Sequence, residues 1–152
     1  MRDATPLTIY RKDYQPYPYS IEHVDLTFDL HPELTRVHNT MQIQRKDQAS
    51  DNAELVLNGE ELELLAVSVN GKPLSADHYR LTDQTLSLSG LPARATVEII
   101  SQCKPSANST LMGLYVSGGN FFTQCEAEGF RRITWFADRP DVMSRYRVTL
   151  RA

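Results

Sequence analysis

The sequence predicts an all-β domain, built as an antiparallel β-sandwich or a large curved sheet. Three observations predict it. Apolar residues recur at every second position along most of the chain, Gly- and Asn-containing turn signals separate these runs, and helical periodicity is nearly absent. A length of 152 residues suits one domain, with enough chain to bury a core without disulfides or a structural metal. The 41% hydrophobic and 23% charged shares are those of a globular chain and exclude wholesale disorder. A net charge of −3 argues against a nucleic-acid or anionic-membrane partner, either of which favours a basic patch. No apolar run approaches the roughly 20 residues that span a bilayer. Met1 to Pro6 lacks the apolar stretch of a signal peptide, so a cytoplasmic location is expected.

The elements follow in order. Val24, Leu26, Phe28 and Leu30 alternate with Asp25, Thr27 and Asp29, the pattern of a strand with one face on a core. His31-Pro32-Glu33 ends it, because Pro32 has no N–H for a ladder. Val37, Met41 and Ile43 alternate with His38, Thr40, Gln42 and Gln44 in a second strand. Leu55 and Leu57 form a short third, closed by Asn58-Gly59, and Leu65, Val67 and Val69 a fourth. Asn70-Gly71 then predicts a hairpin, since a tight type I′ turn needs positive φ at both central residues. Tyr79 to Leu81 and Leu86 to Leu88 flank a second hairpin turn at Thr82 to Thr85. Val97 and Ile99 mark a strand running to about Cys103. Leu111 to Val116 and Phe121 to Gln124 flank a third turn at Ser117 to Asn120. A helical turn is predicted near Arg131 to Phe136, stopped before Arg139-Pro140. Tyr146, Val148 and Leu150 alternate with Arg145, Arg147, Thr149 and Arg151 to the end, with no closing turn signal, so residues 1–152 read as a single domain cut from a longer chain.

Little chemistry is visible in motifs. His23, His31, His38 and His78 form no H-E-x-x-H, and Cys103 and Cys125 form no C-x-x-C pair, so metal ligation has no signal. The cysteines read as two free thiols. No phosphate-binding glycine loop and no G-x-S-x-G elbow occurs. If the strand through Gln124 continued, Glu126 and Glu128 would project from one face, roughly 6.5–7 Å apart at Cα. Such a pair suits a glycosidase on spacing alone, but solvated acidic pairs are far commoner. Arg131, Arg132, Arg139 and Arg145 lie nearby in sequence to neutralise it.

One block is more distinctive than any periodicity. Gly113-Leu-Tyr-Val-Ser-Gly118, followed by Thr123-Gln-Cys-Glu-Ala-Glu-Gly-Phe-Arg-Arg-Ile-Thr-Trp-Phe-Ala-Asp-Arg-Pro-Asp-Val142, closely resembles the N-terminal domain of the bacterial aminopeptidase N family, zinc-dependent alanyl aminopeptidases. Tyr10 to Tyr14, Val24 to Leu30 and Leu57 to Leu62 resemble it too, so the likeness covers nearly the whole chain. The resemblance implies a saddle-shaped all-β domain placed ahead of a catalytic domain that carries G-x-M-E-N and a zinc-binding H-E-x-x-H helix. Neither motif is present here. It therefore implies zinc and its general base held outside this chain, a fragment inactive by itself, and two partners: the peptide N-terminus and the missing catalytic domain. It also implies that Gln124 and Glu126 reach the substrate, while Glu128 and Arg132 have only structural work. The domain is expected to show an apolar docking surface, with Phe130, Trp135 and Phe136 either contributing to it or buried in the core. The alternative is a stand-alone β-sandwich interaction module without any catalytic partner.

Overall fold

The computed structural model describes Thr8 and residues 10–152. Among these, β1 (Tyr19–Asp29) and β2 (Thr35–Arg45) form a long antiparallel pair around the His31-Pro32 turn. β3 (Leu55–Asn58) is short, and β4 (Glu63–Val69) turns through Asn70-Gly71 into β5 (Lys72–Pro73). Asn70 and Gly71 have φ of 52° and 74°, as the sequence signal requires. β6 (Tyr79–Leu81) and β7 (Thr85–Leu88) make a hairpin, β8 (Arg94–Cys103) is long, and β9 (Gly113–Ser117) with β10 (Asn120–Gln124) makes another. β11 (Arg145–Arg151) comes last.

The strands group into a six-stranded sheet in the order β11-β1-β2-β8-β4-β5, a three-stranded sheet β3-β7-β6 and the separate β9–β10 hairpin. The large sheet turns one face inward. Val24, Leu26 and Phe28 of β1, Val37, Met41 and Ile43 of β2, and Val97 and Ile99 of β8 are buried there. Leu55, Leu57, Leu86 and Leu88 of the small sheet join the same hydrophobic core. Two buried tyrosines tie the layers together, donating from Tyr17 Oη to the Val56 carbonyl and from Tyr19 Oη to the Ala53 carbonyl, each at 2.8 Å. Each ring buries a large apolar area while its hydroxyl keeps a partner.

The all-β class is as the alternation predicts, but four local expectations need correction. β11 runs parallel to β1, pairing Val24 with Tyr146 and Phe28 with Leu150, so the large sheet is mixed. A parallel neighbour needs a long crossover rather than a hairpin, and residues 30–144 lie between these two strands. Leu65 points away from the core and is exposed, because an irregularity between Leu64 and Ala66 shifts the register of β4 against β8. An extra residue inverts every side chain on one side of it. The helical turn is a single 3₁₀ turn at Phe130–Arg132, and Phe136 instead bridges Asn58 of β3. Finally, Trp135 and Phe136 are 2% and 3% exposed and belong to the core, with Phe130 half-buried against it. Tyr146, Val148 and Leu150 of β11 form an apolar row that does face outward. It borders a groove of about 610 Å³ that Phe121, Phe122, Phe130 and Val142 also line.

Candidate functional site

The segment that follows β10 carries both residues singled out for substrate contact. The β9–β10 hairpin turns through Gly118 and Gly119, with φ of 55° and 80°, and Gln124 closes the ladder opposite Gly113. The strand stops there. Gly129 N–H donates to the Cys125 carbonyl at 2.7 Å, folding residues 125–129 into a tight turn. Gly129 also sits directly against the Gln124 carbonyl, leaving no room for a Cβ. Glu126 and Glu128 thus lie on a turn rather than on one face of a continued strand.

Buried polar contacts fix this turn to the body. Arg131 Nε donates to Asp138 Oδ2 at 3.0 Å, and Arg131 Nη2 donates to the Asp138 carbonyl at 3.1 Å. Both side chains are nearly buried, at 15% and 14% exposure, where such a pair is screened far less than at the surface. Arg132 forks onto Glu61 at 2.9 and 3.1 Å and approaches Glu60 at 3.4 Å. Behind the loop, the buried Asn39 amide donates to Thr134 Oγ1 at 3.1 Å and to the Trp135 carbonyl at 2.9 Å. Trp135 lies flat on Gly59, where any side chain would meet its ring. Asn39 was visible in the sequence as a polar residue in the inward phase of β2, and Gly129 only as a residue of the matched block.

Of the four arginines near the acidic pair, Arg131, Arg132 and Arg139 each engage another carboxylate. Arg131 also reaches Glu128 at 3.2 Å, and Arg139 holds Asp141 at 2.7 Å. That arginine, with the Tyr17 N–H and the Tyr14 hydroxyl, holds the Asp141 carboxyl far below the usual carboxylate range. Glu126 is the exception: exposed, with no cation or donor on its carboxylate among the described residues. Gln124 is exposed beside it and donates its side-chain amide to the Glu126 carbonyl at 3.2 Å. The structure thus brings Gln124 and Glu126 together at one surface and sends Glu128 to Arg131. Cys125, between them, is a free, half-buried thiol, and burial, then the Asp138 charge, raises its pKa. Cys103 is free as well, and its thiol is pushed up to about 11 by burial.

Residues 17–152 match the peptidase M1 N-terminal domain family over nearly the whole described chain. The chain belongs to that family. This M1 N-terminal domain is 46% identical over 152 residues to an aminopeptidase N of Caulobacter vibrioides, and 45% identical over 141 residues to an aminopeptidase N of Escherichia coli. It spans only 17% and 16% of the length of those two relatives. Its fold matches an aminopeptidase A of Legionella pneumophila, solved in complex with aspartic acid, at a TM-score of 0.83 and 30% identity, covering 91% of this chain and 16% of that one. An M1 zinc metallopeptidase of Deinococcus radiodurans shares the fold at a TM-score of 0.72, with 16% identity over 88% of this chain and 32% of its own. Zinc belongs to the description of that Deinococcus protein. Among the described residues of the M1 N-terminal domain, no three His, Cys, Asp or Glu side chains gather as a metal-ligating group.

Proposed function

We propose that this chain is the substrate-amine-recognising N-terminal domain of a zinc aminopeptidase that removes N-terminal residues from peptides. In this reading the zinc, its ligands and the general base belong to a catalytic domain elsewhere in the same polypeptide, and this chain by itself is inactive. One observation carries the role of this domain. Glu128, Asp138 and Asp141 are each held by an arginine, whereas the exposed Glu126 carboxylate has no partner among the described residues, and the Gln124 side-chain amide is tied to the Glu126 backbone carbonyl. An enzyme that cleaves after the first residue must find a free α-ammonium. A fixed carboxylate does this with a charge-assisted hydrogen bond and so sets where the chain begins. Gln124 both donates and accepts, which suits a wall of the first-residue pocket.

The test is Glu126→Gln in the full-length enzyme, which keeps the shape and removes the charge. Losing one charge-assisted hydrogen bond costs about 1.5–3 kcal/mol, roughly 10- to 150-fold in kcat/KM for a free-amine substrate. Zinc content is expected to stay normal. N-acetylated substrates, which offer no ammonium, are expected to lose little more, and Glu128→Gln is expected to be nearly silent. A Glu126→Gln enzyme within about twofold of wild type on free-amine substrates would refute the role.

A further inference from the structure

Asp138 stands behind the turn that carries Glu126, and its contacts decide where the nearest cation of that turn points. Its backbone is fixed to the body of the domain: Asp138 N–H donates to the Phe136 carbonyl, and Phe136 bridges Asn58 of β3. Asp138 Oδ2 accepts the Arg131 backbone N–H at 3.2 Å and Arg131 Nε at 3.0 Å, and the Asp138 carbonyl accepts Arg131 Nη2 at 3.1 Å. One aspartate thus takes three donors of one arginine, with both side chains nearly buried. On the other side, Arg131 Nη2 reaches Glu128 Oε1 at 3.2 Å, but Glu128 is exposed, and water weakens its hold on a cation. Asp138 rather than Glu128 therefore orients the guanidinium.

This orientation bears on Glu126. Cys125 sits between Gln124 and Glu126, and burial first, then the Asp138 charge, raises its thiol pKa, so the field of Asp138 extends to the turn. Arg131, Glu128 and Asp138 together hold one positive and two negative charges, and as a group they add to the negative field around Glu126. Without the Asp138 charge, Arg131 would be balanced by Glu128 alone. A guanidinium is always charged, and its freed donors would then compete for Glu126, two residues from Glu128. We propose that Asp138 is a positioning residue for amine recognition: by neutralising Arg131 and holding its guanidinium against the body of the domain, it keeps the Glu126 carboxylate free for the substrate ammonium. This deepens the reading of Glu126 as the ammonium partner and rests on it. The sign of the effect separates it from a role in stability alone. Loss of the Asp138 charge weakens ammonium binding and loss of the Arg131 charge does not, whereas a pair that only holds the loop together is damaged alike from either side.

The full-length enzyme tests this with two inhibitors, alanine hydroxamate and propionohydroxamate, which share a metal-binding group and differ in the α-amine. The ratio of their inhibition constants reads the ammonium alone. Asp138→Asn is expected to shrink that ratio roughly 5-fold or more, as one uncompensated charge near a protein surface does. Arg131→Gln is expected to leave it unchanged or enlarge it. The neutral pair Arg131→Gln/Asp138→Asn is expected to return it to within about twofold of wild type, and, having no unpaired buried charge, it keeps the test open if a single variant fails to fold. In a Glu126→Gln background, Asp138→Asn is expected to change the ratio no further. A ratio that Asp138→Asn leaves intact, or that Arg131→Gln or the neutral pair lowers as Asp138→Asn does, would overturn the positioning role while leaving Glu126 as the ammonium partner. A ratio that Glu126→Gln itself leaves at the wild-type value would instead overturn the reading of Glu126, and this proposal with it.

Discussion

Replacing Gly129 with alanine sets a methyl group against backbone rather than against a side chain that can swing away. The new Cβ would meet the Gln124 carbonyl oxygen and come within 2.8 Å of Cys125 Cα. The φ of Gly129, −86°, is ordinary, so alanine carries no penalty from backbone conformation and the whole effect is steric. Neither neighbour can yield alone, because Gln124 is paired with Gly113 and the Cys125 carbonyl accepts the Gly129 N–H. Forcing an extra methyl into so tight a place costs about 1–3 kcal/mol. For a domain of this size that lowers the melting temperature by roughly 3–10 °C. Urea unfolding followed by tryptophan fluorescence suits the measurement, since the single Trp135 is buried behind the same loop. Gly118→Ala is the contrast: its φ is positive but nothing lies within 4 Å of its Cβ, so its cost, about 1 kcal/mol, is conformational. A Gly129→Ala protein within about 0.5 kcal/mol of wild type would show that the turn after β10 is not closed by this contact. In the full-length enzyme, the displaced turn is also expected to lower kcat/KM through Gln124 and Glu126.

Two further outcomes follow from buried polar contacts elsewhere. Asn39→Ala removes both donors that hold Thr134 and Trp135, leaving a buried carbonyl unpaired, and is expected to cost about 2–3 kcal/mol in the same urea experiment. Asp141 has its folded-state pKa depressed below the ordinary 3.8, chiefly by the Arg139 hydrogen bond, so its contribution is complete above that value and is lost as pH falls toward the depressed one. Melting temperature is expected to fall more steeply below about pH 4 in wild type than in Asp141→Asn, and parallel acid profiles would refute the link.

The strands were legible in the sequence because their cause is local. A half-buried strand shows period-2 alternation whatever packs against it, and Asn70-Gly71 and Gly118-Gly119 announce positive φ through their own residue types. The matched block also pointed to Gln124 and Glu126, which periodicity alone would have left as a strand end and a solvated acid. Other features depended on contacts between residues far apart in the chain. The parallel docking of β11 on β1 and the register shift that exposes Leu65 are choices among pairings that local pattern leaves equal. The same holds for charge. Glu126 and Glu128 are alike in sequence, and only the fold decides that Arg131 turns inward to Asp138 and Glu128, leaving the Glu126 carboxylate without a partner among the described residues. Alternation sets which face a side chain takes, because that depends on its immediate neighbours. What meets that face is set by the whole chain, because ion pairs and sheet edges form between segments that sequence distance keeps apart.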